Sequence, residues 1–222
     1  MTLSPLYPIV DVDLARRRGL DPVVLGEAFL EGGVSWLQLR AKSLESAELL
    51  ELAGRLAAAA ARRGAALIVN DRADVARMAR ASGVHVGQDD LPPAAARRVV
   101  GEAALVGLST HDEAQVDAAL AEPISYLAVG PIYGTASKEA SGWPVGLALV
   151  EYAAKQAGAL PVVAIGGITL ERAPEVIGAG ARAVAVIADL HVAGDVAGRV
   201  RAFLAALGSE PSPGRVPGEG SP

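Results

Sequence analysis

The chain contains no cysteine. That excludes disulfides, thiolate metal sites and cysteine nucleophiles, but it does not identify a compartment. Aromatic residues make up only 4% of the chain, so a core must be built mostly from Ala, Val, Leu and Ile. A basic excess is also missing. The formal net charge is −5, and phosphate backbones reward basic surfaces, so nucleic acid is not an expected partner. No window reaches the roughly 18 apolar residues of a membrane span. The nearest approach, "LAAAAARRGAALIVN", is broken by Arg62, Arg63 and Gly64. The start, "MTLSPLYPIV", has no basic segment ahead of a long apolar one, so no signal peptide is expected and a cytoplasmic protein is the default. No His/Cys cluster supports zinc, no Ser elbow or triad order supports hydrolase chemistry, and no GxGxxG follows the first strand pattern.

What is present is alternation. The chain has 222 residues, 51% of them hydrophobic, which is enough for one sizeable core. Apolar strand patterns fall at residues 6–10, 35–40, 65–70, 83–87, 104–109, 125–130, 161–167 and 183–187. A helical pattern follows each: 22–33, 45–64, 72–82, 92–100, 110–120, 146–158, 169–180 and 195–207. Strict alternation implies a parallel sheet with helical crossovers. Eight units favour closure into a single-domain (β/α)8 TIM barrel over residues 1–208, with an open doubly wound sheet as the alternative. Residues 209–222 are rich in Pro, Gly and Ser and read as a disordered tail.

Local signals refine the helices. Gly64 suits a left-handed helix end. Thr110 with Glu113 three residues on makes a capping-box pattern, and Thr169 is a candidate cap for the helix that contains Pro174. "ARRRG", with Arg16–Arg18, reads as a solvated loop that could also guard the mouth of a site.

In a barrel, the C-terminal strand ends converge on one face, where active sites sit. The second strand delivers Gln38, Arg40 and Lys42 there, and the third Asn70 and Asp71. The fourth supplies Gln88, Asp89 and Asp90, and the fifth Ser109, Thr110 and His111. The sixth supplies "GPIYGTASK", and the seventh Gly166 and Gly167. Arg40, Lys42 and Lys138, with Asn70, Thr135 and Ser137 as neutral partners, suit a diphosphate: Arg forks onto two oxygens and Lys adds point charge. Asp71 and Asp90 suit Mg²⁺, which takes one or two carboxylates plus phosphate oxygens. The two groups explain each other, because carboxylates beside a diphosphate repel it unless a divalent ion lies between. Gly166 and Gly167 fit a second, separate phosphate site. A metal-held diphosphate and a distinct monophosphate point to a transferase.

Plainer roles compete at each position. Asn70 and Asp71 could cap the next helix, and Ser109 could cap the one after its strand. Arg40 and Lys42 could be a solvated rim. His85 lies inside a strand and reads as structural. His111 shows no partner, and His191 carries no assignment. Trp36 reads as packing, and Trp143 as lid or surface.

The motifs "QLRAK", "VNDRADVA", "GVHVGQDDLP", "GLSTH", "GPIYGTASK" and "AIGGI" stand in the order and spacing of the thiamine-phosphate synthases. The resemblance spans nearly the whole chain short of the tail. It implies a (β/α)8 barrel that joins 4-amino-2-methyl-5-pyrimidinylmethyl diphosphate to 4-methyl-5-(2-phosphooxyethyl)thiazole with Mg²⁺. The products would be thiamine monophosphate and pyrophosphate. It further implies Gln38, Arg40, Lys42, Asn70 and Lys138 on the diphosphate side and Asp71 and Asp90 as metal ligands. Ser109 would contact the pyrimidine or the diphosphate. Thr135 and Ser137 are moved to the thiazole phosphate, with Gly167 helping through its backbone. The glycines of "GPIYGTASK" fit a lid. Two positions depart from the family's habit: Ser137 stands where Thr is frequent, and Ala188–Asp189 replace a serine and a small residue. An acid close to a phosphate costs about 1–4 kcal/mol when partly screened. Asp189 is therefore expected to point away, capping a short helix. Related readings are a thiazole-carboxylate isomerase of the same family and a non-catalytic thiamine-phosphate-binding module. Small-molecule substrates are the expected partners, and a homo-oligomer stays open.

Overall fold

A computed structural model describes residues 3–134 and 144–208. Eight parallel strands close into a barrel in sequence order: β1 (Leu6–Asp11), β2 (Trp36–Arg40), β3 (Ala66–Asn70), β4 (Gly83–Val86), β5 (Leu105–Thr110), β6 (Tyr126–Val129), β7 (Val162–Ile165) and β8 (Ala183–Val186). The closing seam pairs Leu6 with Val184 and Pro8 with Val186. The strands are buried on both faces, so they read as continuous apolar runs without polar alternation. Expectation and structure agree on all eight, to within a residue or two at their ends.

Among the described residues the helices are α1 (Val12–Arg17), α2 (Pro22–Glu31), α3 (Ser46–Arg62), α4 (Ala73–Met78), α5 (Pro93–Val100), α6 (Glu113–Ala119), α7 (Gly146–Ala157), α8 (Ala173–Gly178) and α9 (Val196–Ala206). In α3 the buried positions Leu49, Leu52, Ala53, Leu56, Ala59 and Ala60 recur at helical spacing and form one stripe on the barrel. Gly64 follows the C-cap with φ 66°.

Four local expectations are corrected. Arg16 and Arg17 of "ARRRG" are helical, and the loop starts at Arg18: the Asp11 side chain accepts from the Leu14 N–H and starts α1, which runs to Arg17. Thr110 does not cap α6. It ends β5, and its hydroxyl donates to the Ala128 carbonyl at 3.0 Å. The capping box sits two residues later, where Asp112 accepts from the Gln115 N–H and Gln115 accepts from the His111 N–H. Ser109 likewise lies within β5. Thr169 precedes the N-cap of α8, which is Arg172, and Pro174 falls in the first turn.

The barrel interior holds a cluster separate from the one under the helices. It includes Tyr7, Trp36, Ile68, Tyr126, Val163 and Ala185. Three of the few aromatics are concentrated here. Tyr7 stacks on Trp36 at 3.7 Å between ring centres, and the Tyr126 ring meets both edge-on. This layer is the floor on which the polar groups of the mouth stand.

Candidate active site

In-register pairing sets the mouth. Ile9 lies beside Gln38, Asp11 beside Arg40, and Asn70 beside His85. Because side chains alternate between the two faces of a strand, Gln38, Arg40, Asn70, His85 and Ser109 all point inward. They line one cavity at the C-terminal end of the barrel. Of the described residues in the sequence-derived set, Gln38, Arg40, Asn70 and Ser109 line this cavity, while Lys42, Asp71, Asp90 and Gly167 are not among its lining residues. Thr135, Ser137 and Lys138 lie outside the described residues, as do Trp143 and the segment 209–222.

Arg40 is held by a residue the sequence reading passed over. Its guanidinium meets the Asp11 carboxylate at 2.5 Å, with the Asp11 side chain only 3% exposed. Asp11 also caps α1, and its N–H donates to His191 Nε2 at 3.1 Å. His191 is fully buried and donates from Nδ1 to the Ile187 carbonyl at 2.7 Å. Two accepted and donated bonds fix a neutral imidazole, and burial pushes its pKa below the ordinary histidine value. The available signal was an acid at the last position of β1, in register with Arg40. Arg18 donates to the carbonyls of Ala188 and His191, so it fastens the loop after β8.

Asp71 and Asp90 meet at the rim. Burial raises the Asp71 carboxyl above its ordinary value, Lys42 pulls it back, and the neighbouring Asp90 carboxyl pushes it up again. Lys42 Nζ lies 2.5 Å from Asp71 Oδ2. Asp90 also accepts from the Gly87 N–H at 2.8 Å, while Asp89 is exposed. Neither Asn70 nor Asp71 caps α4 with its side chain: the N-cap is Arg72 and carries no such bond. Asp71 instead occupies a left-handed backbone conformation at φ 63°. A carboxylate held there beside another, with a lysine as counter-charge, fits a small hard cation together with an anionic ligand.

On the opposite side, Gly166 and Gly167 follow β7, both at positive φ. Side chains are excluded there by the loop after β6: a Cβ on Gly166 would lie 2.6 Å from Pro131 Cα, and one on Gly167 2.7 Å from the Gly134 carbonyl oxygen. His111, expected to lack a partner, places Nδ1 2.5 Å from the Gly130 carbonyl. Asp189, expected to cap a short helix, caps none among the described residues. It accepts from the Leu170 N–H and pairs with Arg199 through both oxygens at 2.8 Å. Its charge is paired with Arg199, which lowers the expected cost beside a phosphate.

The fold and this mouth define a (β/α)8-barrel enzyme that handles anionic ligands. The family model described as "Thiamine monophosphate synthase" matches residues 6–190. A thiamine-phosphate synthase of Acidothermus cellulolyticus is 47% identical over 198 residues, covering 88% of this chain and 92% of that one. Another, from Mycobacterium sp. (strain JLS), is 46% identical over 221 residues, with 92% and 97% covered. A solved structure of thiamine phosphate pyrophosphorylase from Pyrococcus furiosus superposes with a TM-score of 0.81 at 28% identity, covering 91% of this chain and 95% of that one. The chain belongs to the thiamine monophosphate synthase family, a family of transferases.

Proposed function

We propose that this barrel joins 4-amino-2-methyl-5-pyrimidinylmethyl diphosphate to 4-methyl-5-(2-phosphooxyethyl)thiazole, with Mg²⁺ held by Asp71 and Asp90. The observation that carries the reading is the pairing of two facing carboxylates and Lys42 with the Arg40 guanidinium at one barrel mouth. Bound there, Mg²⁺ would neutralise the diphosphate as a Lewis acid and ease its departure. Arg40 binds the diphosphate oxygens as a pre-oriented fork, already held by Asp11. Lys42 exchanges its bond to Asp71 for one to the leaving group, and Gln38 and Asn70 fix its orientation. Lys138 adds a further charge to the diphosphate. Ser109 meets the pyrimidine, while Thr135, Ser137 and the Gly167 backbone receive the thiazole phosphate.

The C–O bond between the pyrimidine methylene and the diphosphate breaks with its electron pair on the leaving oxygen. The methylene cation is stabilised by the ring's amino group, and the thiazole nitrogen then forms the new C–N bond. No protein group has to transfer a proton. Catalysis rests on positioning and on charge neutralisation. The test is pyrophosphate release from the purified chain with both substrates, with Mg²⁺ and then with EDTA. Release that requires both substrates and the metal, with thiamine monophosphate formed in equal amount, is expected. Equal release in EDTA would overturn the metal assignment, and no release from folded protein would overturn the reaction.

A further inference from the structure

Beneath the mouth, five side chains form one hydrogen-bonded line across the barrel. Gln38 Nε2 donates to the Tyr7 hydroxyl at 3.1 Å, and the Tyr7 and Tyr126 hydroxyls lie 3.0 Å apart. Tyr126 then reaches His85 Nδ1 at 3.0 Å, and His85 Nε2 reaches Ser109 Oγ at 2.8 Å. All five are buried, none more than 7% exposed. The two ends are substrate contacts in the proposal above, while the three middle groups have no part in it.

The chemistry of each group orders the protons. The amide nitrogen of Gln38 only donates. Tyr7 accepts that bond, and the order that leaves every proton of the line with an acceptor sends the Tyr7 proton to Tyr126 and the Tyr126 proton to His85 Nδ1. An imidazole that accepts at Nδ1 carries its proton on Nε2 and donates it to Ser109 Oγ. The Ser109 hydroxyl proton is then directed out of the line, toward the mouth. Burial keeps both phenols protonated by pushing their pKa values up. Packing holds the geometry. A Cβ on Gly107 would come within 2.1 Å of Tyr126 Cζ and 2.5 Å of His85 Nδ1. The Tyr126 and His85 rings stack at 5.6 Å and 22°.

We infer that Tyr7, Tyr126 and His85 are positioning residues, a proton-ordered line that fixes the Ser109 hydroxyl as a hydrogen-bond donor to a ring nitrogen of the pyrimidine substrate. The inference rests on the proposed reaction for its ligand, but its proton order is a property of the protein alone.

The experiment has two arms. ¹⁵N spectra of histidine-labelled full-length protein, with the His85 signals assigned against His85→Gln, are expected to show a neutral ring protonated on Nε2. Steady-state kinetics of Tyr126→Phe are expected to show the KM for the pyrimidine diphosphate raised about tenfold, a loss the size of one hydrogen bond, with the KM for the thiazole phosphate unchanged. Tyr7→Phe, which leaves the His85 contact in place, gives a smaller shift of the same kind and serves if the first variant does not fold. A proton on Nδ1, or on both nitrogens, would overturn the order. Unchanged constants, or both raised equally, would overturn the positioning role. If the wild-type chain makes no thiamine monophosphate, the proposed reaction fails, and the imidazole spectrum still decides the proton order.

Discussion

Asp71 is held at a cost that its pairing with Lys42 offsets only in part. A left-handed backbone at a non-glycine residue costs about 1 kcal/mol, and the facing Asp90 adds repulsion. Asn tolerates the same backbone and carries no charge. Asp71→Asn is therefore expected to fold with stability equal to the wild type or higher by about 1 kcal/mol. Its turnover should fall at least about a hundredfold. Denaturant unfolding and pyrophosphate release on the same sample check both halves, and a stability loss would make Asp71 a structural residue. His191 carries a second residue-scale expectation. Its folded pKa is depressed by burial, so the unfolded chain binds the proton more readily. The stabilising contribution is then complete above the ordinary histidine value of about 6.5 and is lost as pH falls below it. Asp11 opposes this shift and Arg18 reinforces it. Melting temperatures from about pH 7 to about pH 5 should fall less steeply in His191→Gln than in the wild type. Parallel curves would exclude His191 as the source. Neither Asp11 nor His191 stood out in the sequence. Asp11 ends an apolar strand with no motif around it, and His191 is defined by contacts to residues far along the chain.

At the scale of elements, the described start of the loop after β6, residues 130–134, is bonded to the turn after β7. Ile132 and Tyr133 donate from their N–H groups to the carbonyls of Ile165 and Gly166, at 2.9 and 3.0 Å. Gly166→Ala meets both a positive φ and the Pro131 backbone, and is expected to cost more than about 2 kcal/mol. Gly64→Ala isolates the first effect: its φ is 66° and no atom lies within 4 Å of the added Cβ, so about 1 kcal/mol is expected. Equal losses in the two variants, measured by denaturant unfolding, would show that the loop contact is not what excludes the side chain. The strands were legible because burial on both faces writes an unbroken apolar run. The long helix α3 was legible from its stripe. The short α1 was not, because six residues carrying two arginines give too little periodicity to separate from a loop. The capping box near Thr110 was misplaced by two residues because Thr110 satisfies its hydroxyl across the sheet to β6.

At the scale of the molecule, closure of the barrel turns scattered strand ends into one mouth, and this is why most of the candidate site could be read in advance. The hydrogen-bonded line below the mouth could not, because Tyr7 and Tyr126 sit mid-strand, where a sequence reads only core. Closure also bounds the folding unit. The β1–β8 seam is completed by residues 6–8 and 184–186, and α9 packs its buried Val200, Phe203 and Leu204 before the helix ends at Ala206. The segment 209–222 holds one large apolar residue, Val216, among Pro, Gly, Ser and charges, so it has little apolar surface to contribute. Deleting residues 209–222 is expected to leave both melting temperature and kcat unchanged. Cutting back to Arg199 removes Val200 and two fully buried large side chains, Phe203 and Leu204, each worth about 2–5 kcal/mol, against a total stability of about 5–15 kcal/mol. That shorter chain is expected to lose its cooperative unfolding transition. If the first deletion instead lowered kcat while the melting temperature held, the segment would belong to the active site and the boundary at 208 would be wrong.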